Sequence, residues 1–382
     1  MTINAPLAGV IVADFSRVLA GPLAAATLAD LGATVIKVER PGVGDDTRHW
    51  GPPWTANSSS YFECANRTKQ SVELDLAHPE DRRIALELAR RADVLIENFR
   101  DGTLDRKGLG YEQVAAVNPG VVYASITGFG RRGGRDLSGY DFLVQALGGL
   151  MSVTGEPGHP TKVGVALVDV LTSKDAVVAI LAALRARETS GLGQRVEVNL
   201  LSSLLGSLAN QASSYLATGE TPIAMGNRHP SIAPYETLAA KDGQLAVACG
   251  NDGQFTVLTR ALGIPGVAEN PRFATNPARV QHRAELVVAL EAALGTDTVD
   301  TWVDLLGSVG VPAGRVGSVA DGFELAARLG LDPTVDVGGG ASPQVRSPLT
   351  FDRTPITHYT PPPRLGEQND DIRRWLNEEN RS

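Results

Sequence analysis

A strand–helix–strand unit within residues 9–39 constrains the fold more than any other feature of the chain. Residues 9–15 (GVIVADF) are rich in β-branched side chains and predict a buried strand. A helix follows, with Pro22 near its first turn and Gly32 as its stop. Residues 34–39 (TVIKVE) predict the next strand, and a crossover this short joins parallel neighbours. The alternation continues with a strand at 71–76, a helix at 79–91, a strand at 94–98, two short helical pieces and a strand at 121–126. Repeats of this kind predict a Rossmann-like, doubly wound α/β domain with a parallel sheet.

Further along, residues 169–188 read as a helix apolar almost all round, hence deeply buried. A strand at 195–199 runs into one long amphipathic helix carrying Leu200, Leu204, Leu208, Ala212 and Leu216. The texture changes near residue 220. Residues 219–234 hold prolines and turn formers with little periodicity, a linker or active-site loop. Beyond them a hairpin turns at Lys241-Asp242-Gly243, and helices are expected at 252–263, 282–294 and 298–309. The expected layout is a large α/β domain over 1–218 completed by 330–382, the 219–234 loop, and a smaller α+β domain over 235–329.

Composition removes several function classes. A length of 382 residues exceeds one core, and 43% apolar with 20% charged residues is ordinary for a soluble globular chain. A net charge of −8 favours neither nucleic acid nor an anionic membrane. Cys64 and Cys249 make no disulfide framework, and the six histidines show no ligand spacing, so no metal site is expected. The start has no basic n-region, and the longest apolar run, residues 176–184, is half a membrane span, so the expected location is the cytoplasm. The turn Ser16-Arg17-Val18-Leu19-Ala20-Gly21-Pro22 lacks the glycine fingerprint of dinucleotide binding, and no P-loop or nucleophile elbow occurs.

What remains is a set of polar and basic residues near the carboxyl ends of the strands, where open α/β sheets bind ligands. Lys37, Arg40 and Arg48 flank the second strand; Arg67 and Lys69 precede the third; Asn98, Phe99, Arg100 and Arg106 follow the fourth; Arg131, Arg132 and Arg135 follow the fifth. In an acidic protein this distribution suits a phosphate-bearing anion, although solvated loop arginines account for it equally well. Asp169 stands where an apolar extended run meets a helix. It reads either as a plain N-cap or as a carboxylate nucleophile kept ionised by the helix dipole.

As a set, these residues resemble the family III CoA-transferases, the superfamily that also holds the α-methylacyl-CoA racemases. The blocks that carry the resemblance run from DFSRVLAGPLAAATLADLGATVIKVERPGVGDDTR to PPPRLGEQNDDI, through NRTKQSVELDL, ENFRDGTLDRKGLGYE, SITGFG, GYDFLVQALGGLMSVTG, GVALVD and SGLGQRVEVNLLSS. The resemblance implies that Asp169 is the nucleophile, passing through an aspartyl–acyl anhydride and an aspartyl-CoA thioester. It implies CoA contacts at Val18, Ala20, Arg40, Lys69, Asn98, Phe99 and Arg106, with no tightly bound cofactor. It also implies an interlaced homodimer. The segment holding Gly226, Asn227, Arg228 and His229 occupies the place of a glycine-rich closing loop. Leu19 departs from the glutamine of formyl-CoA transferase.

Tyr140 separates two chemistries. Racemases of the superfamily carry Gly-His-Asp, whereas this chain reads Gly139-Tyr140-Asp141, and a tyrosine with pKa near 10 is a poor base at neutral pH. Transfer is favoured over epimerisation of an acyl-CoA, with a non-catalytic acyl-CoA-binding protein as the third reading. Asp141 orients the site or caps a helix. The blocks VERPGVGDDTRHWGPP, NLLSS and GNDGQF look most like the succinyl-CoA:dicarboxylate branch. A dicarboxylate needs a cation for its far carboxylate, and Arg48, Arg228 and His229 are the residues expected to supply it.

Overall fold

A computed structural model describes residues 5–378. They divide into two compact units, one of residues 5–150, 163–220 and 332–378, the other of 151–162 and 221–331.

The first unit is built on six strands: β1 (Ile11–Asp14), β2 (Thr34–Glu39), β3 (Lys69–Glu73), β4 (Val94–Glu97), β5 (Val122–Thr127) and β6 (Gln194–Asn199). Their order is β3-β2-β1-β4-β5-β6 and every pair is parallel, with Val12 opposite both Val35 and Val94. The winding direction reverses between β1 and β4, which opens a crevice at their carboxyl ends. The helices of this unit are α1 (Ala20–Asp30), α2 (Ser60–Glu63), α3 (Pro79–Arg91), α4 (Tyr111–Val117), α5 (Asp141–Leu147), α6 (Leu150–Val153, whose last three residues fall in the second unit), α7 (Leu167–Ser190) and α8 (Leu200–Ser207).

Strand alternation fills both faces of the sheet. Val12, Val94, Ile96 and Ala124 meet Ala24 and Leu28 of α1, Ala176 and Ile180 of α7, and Leu200 and Leu204 of α8. Ala13, Leu95 and Tyr123 point the other way, onto Ile84 and Leu88 of α3, Val114 of α4, and Ile372 and Leu376 of the last helix (Asn369–Glu378). The parallel α/β architecture expected from the sequence is therefore present.

Three expectations need correction. The helix expected to run unbroken past residue 200 is two helices, α8 and Ala209–Thr218, because Ala209 takes a positive φ of 45° and interrupts the ladder. Helix α7 is not buried all round. Val168, Thr172, Ala176 and Ile180 form its inner face, while Val178 is 67% exposed. Strand β3 begins two residues early, at Lys69, with consequences for that side chain described below.

In the second unit the hairpin forms as β7 (Tyr235–Ala239) and β8 (Gln244–Ala248), turning at the Asp-Gly pair. A third antiparallel strand, β9 (Ala313–Arg315), adds to it, a strand too short to show an alternating pattern. Leu238, Leu245, Phe255, Leu286, Leu290 and Trp302 make the core of this unit. Among the described residues, no helix is long and apolar enough to cross a membrane.

Candidate active site

Asp169 is the third residue of α7, where a carboxylate ordinarily collects the free amides of the helix start. Here another residue has taken them. Asp141, first in α5, accepts the N–H of Val168 at 2.8 Å and that of Asp169 at 3.3 Å through one oxygen. Its other oxygen accepts from Gln145 Nε2 at 2.7 Å, and Gln145 Oε1 in turn accepts from Val163 N at 2.9 Å. Among the described residues, none donates a hydrogen bond to the Asp169 carboxylate. Burial, and then the charge of Asp141, push its pKa up from 3.8 to about 7. This corrects the expectation that the helix start keeps Asp169 strongly ionised: the cap is Asp141, and it works against the neighbouring charge.

Asp169 and Asp141 share a cleft of about 230 Å³ with Val18, Leu19, Ala20, Asn98, Phe99 and Tyr140. Arg17, Arg100 and Arg135 contribute cations to the same lining. The structure thus brings Val18, Ala20, Asn98, Phe99, Tyr140, Asp141 and Asp169, of the residues singled out from the sequence, to one cleft at the sheet's switch point. Asn98 holds the β1–α1 loop from below: its Oδ1 accepts Arg17 N at 2.9 Å and its Nδ2 donates to Arg17 O at 2.7 Å. Tyr140 is 62% exposed, as the residue before α5.

A second cleft adjoins the first through Arg17 and Phe99, which line both. Arg40 and Lys107 stand on it beside Phe15, Leu74 and Leu76. Arg40 is open to solvent, with Asp46 3.8 Å away. The pairing of cations with an apolar floor suits a ligand carrying phosphates and a flat ring.

Other expected contacts lie elsewhere. Lys69 is not a phosphate ligand in this structure. Its amine is fully buried, 2.9 Å from Asp14 and from Asn66 Oδ1 and 2.8 Å from Pro22 O, because the early start of β3 turns it inward. Burial lowers its pKa to about 8. Arg48 is likewise committed: it makes two bonds to Glu39 at 2.8 and 2.7 Å, a third to Pro363 O, and its guanidinium stacks 3.7 Å from the Phe62 ring. It is not free to bind a substrate carboxylate. Arg106 is exposed and bonds weakly to Thr103 Oγ1 at 3.4 Å, outside both clefts.

Residues 226–229 belong to the second unit, where the segment is tied down. Gly226 N bonds Gly155 O at 2.9 Å, Asn227 Nδ2 bonds Thr237 Oγ1 at 3.0 Å, and Arg228 Nε bonds Met225 O at 2.8 Å. His229 N bonds Tyr235 O at 3.0 Å, and the buried Arg283, itself paired with Glu236, holds His229 O at 2.6 Å.

Sequence reasoning missed two groups. Arg17 was passed over as part of a turn without glycines, although its place after β1 is where an open sheet puts ligand contacts. Tyr61 lies in α2, and its hydroxyl is pushed up to about 12 by burial first and then by the charges of Asp169, Cys64, Asp141 and Asp45. Tyr61 is thus a phenol within electrostatic reach of Asp169, and no sequence pattern announced it.

Residues 7–369 match CoA-transferase family III. The succinate–glutarate CoA-transferase of Agrobacterium fabrum is 44% identical over 379 residues, 95% of this chain and 93% of that one. The succinyl-CoA:glutarate CoA-transferase of Mus musculus is 41% identical, covering 95% of this chain and 84% of its own. Among solved structures, a CAIB/BAIF family protein from Brucella suis superposes with a TM-score of 0.89 at 44% identity, covering 98% of this chain and 100% of that chain.

Proposed function

The chain belongs to CoA-transferase family III, and from that premise we propose that it moves CoA from succinyl-CoA to a second short dicarboxylic acid, with Asp169 as covalent nucleophile. The observation that carries this reading is the Asp169 carboxylate itself. It lines the cleft, accepts no hydrogen bond from the described residues, and is pushed up to a pKa of about 7 by burial and the charge of Asp141. A carboxylate without hydrogen bonds is a stronger nucleophile than a capped one, because no donor must be given up on attack.

In the proposed cycle, an Asp169 oxygen adds to the thioester carbonyl and CoA leaves as its thiolate. The product is a mixed anhydride between Asp169 and succinate. The thiolate then attacks the Asp169 carbonyl, succinate departs as a carboxylate, and Asp169 becomes a CoA thioester. The acceptor carboxylate repeats both steps in reverse and restores Asp169. Thioester energy is conserved throughout, so no nucleotide is consumed. The dicarboxylate preference draws on the relatives' substrates and on Arg17, Arg100 and Arg135, the cations of the Asp169 cleft, which replace Arg48 as partners for a far carboxylate. The adjoining cleft with Arg40 and Lys107 suits the nucleotide end of CoA. An interlaced homodimer fits the apolar side chains left open on the first unit, Val165, Val178, Leu205 and Leu216 among them.

Mass spectrometry after incubation with succinyl-CoA and no acceptor tests the reading. A CoA-sized adduct on the peptide containing Asp169, discharged by glutarate and absent from Asp169→Asn, is the expected result. An adduct that persists in Asp169→Asn, or no adduct in the unaltered protein, overturns it.

A further inference from the structure

The loop between β1 and α1 is held in a conformation its sequence opposes. Val18 has φ = 69°, in the left-handed region that a β-branched residue almost never enters. Each peptide group leading to it is fixed by a side chain from another element. Ser16 N donates to Asp14 Oδ1 at 3.0 Å, and Ser16 O accepts from Lys37 Nζ at 3.0 Å. Asn98 brackets Arg17, as described above. Val18 N lies 3.3 Å from both oxygens of Asp45. Asp45 is itself buried, paired with Lys37 at 2.9 Å and anchored by Thr47 N and Oγ1 at 3.0 and 2.8 Å. Immediately after this bend, Val18, Leu19 and Ala20 line the Asp169 cleft.

We propose that Asp45, acting through the backbone of Val18, is a positioning residue for CoA transfer: the buried Lys37–Asp45 pair keeps the Ser16–Leu19 loop in the strained shape that lines the Asp169 cleft, so that acyl-CoA meets a wall already formed. The inference rests on the transfer reading above. Strain of this kind persists only where the surroundings over-determine it. Without Asp45, Val18 relaxes to negative φ and the binding-competent shape becomes a minor population. Apparent affinity then falls in proportion to that population, while the chemistry of a bound complex is little changed. Glycine at position 18 reaches the same φ without strain, so it relieves the dependence on Asp45.

The test compares Asp45→Ala, Val18→Gly and the double variant in the full-length protein. It reads KM for succinyl-CoA, kcat, and the Kd of CoA alone by calorimetry. Asp45→Ala is expected to raise both KM and Kd by about tenfold, about 1.4 kcal/mol, with kcat within about twofold. Adding Val18→Gly is expected to recover most of that loss. A defect of folding alone lowers active concentration, hence apparent kcat and the calorimetric stoichiometry, and leaves KM and Kd unmoved. Unchanged KM and Kd in Asp45→Ala, or a loss that Val18→Gly leaves in place, overturns the proposal. If Asp45→Ala does not fold, Lys37→Met/Asp45→Ala, which removes the stranded charge as well, is read by the same criteria. Because CoA binding is measured without turnover, a failure of the transfer reading shows as no adduct with succinyl-CoA, whereas a failure of this proposal shows in the Kd values.

Discussion

Asp169→Asn should make the protein more stable above neutral pH while abolishing transfer. The folded-state pKa of Asp169 is about 7 against 3.8 for the free side chain, a rise of about three units. At about 1.4 kcal/mol per unit this amounts to roughly 4 kcal/mol of cost for the ionised form once the pH is well above 7. Asp169 is not fully buried, so solvent screens part of that cost, and about 2 kcal/mol is the working figure. Between the two pKa values the folded state holds a proton that the unfolded chain has released. Raising the pH through this window therefore lowers stability. Asparagine has no proton to lose and the same shape, so the variant escapes the penalty. Urea or thermal unfolding of both proteins from pH 5 to pH 8.5 is the assay. The variant's advantage should be about a third developed at pH 5, grow as the pH rises towards 7, and level off above about 8, where 2 kcal/mol corresponds to a few degrees in Tm. Effects of groups not coupled to Asp169 cancel in the difference. An advantage that stays constant with pH would trace to packing instead. An unaltered protein more stable than Asp169→Asn at pH 8 would refute the account of a carboxylate denied its hydrogen bonds.

Asp141→Asn keeps the acceptor for Val168 N but removes the charge beside Asp169, so the acid limb of the kcat/KM profile should move to lower pH; an unmoved limb would leave burial as the sole cause. Lys69→Met and Arg48→Met each break a buried ion pair and should cost about 3–5 kcal/mol of stability, read by urea unfolding. Neither should change KM for acyl-CoA or for dicarboxylate in the folded fraction; a selective KM effect would return that residue to the site. Under the proposed homodimer, Val178→Asp charges the open face of α7 and should lower the light-scattering mass; an unchanged mass would remove that face from the proposed interface.

The strands of the parallel sheet were legible because strands buried on both faces read as largely apolar runs, as GVIVADF, TVIKVE and VLIEN do. The breaks were not. Ala209 and Val18 carry ordinary side chains in left-handed backbone, which local propensity opposes, and at Val18 the bonds that enforce it come from Asn98 and Asp45, far along the chain. The exposed flank of α7 was misread for a related reason. Periodicity reports that a helix is apolar all round, but not whether its second face meets its own chain.

For the site, sequence located the charged residues and could not say which charges are already partnered. Lys37, Arg48 and Lys69 look identical to Arg40 as strand-end cations, yet the first three are buried against Asp45, Glu39 and Asp14 and only Arg40 is open to a ligand. The distinction rests on which way each side chain leaves the pleat and on carboxylates up to 55 residues distant. The same logic explains the Asp141–Asp169 pair. The sequence offers Asp169 as the local cap of α7 and gives no sign that Asp141, 28 residues earlier, takes those amides. The fold decides by bringing the start of α7 onto Asp141, which Gln145, one turn on in α5, already holds, so that Asp141 has three donors while none of the described residues donates to Asp169. One carboxylate is consumed as structure while the other stays unbonded, as the proposed nucleophile requires, and the stability lost at Asp169 is the measurable trace of that division.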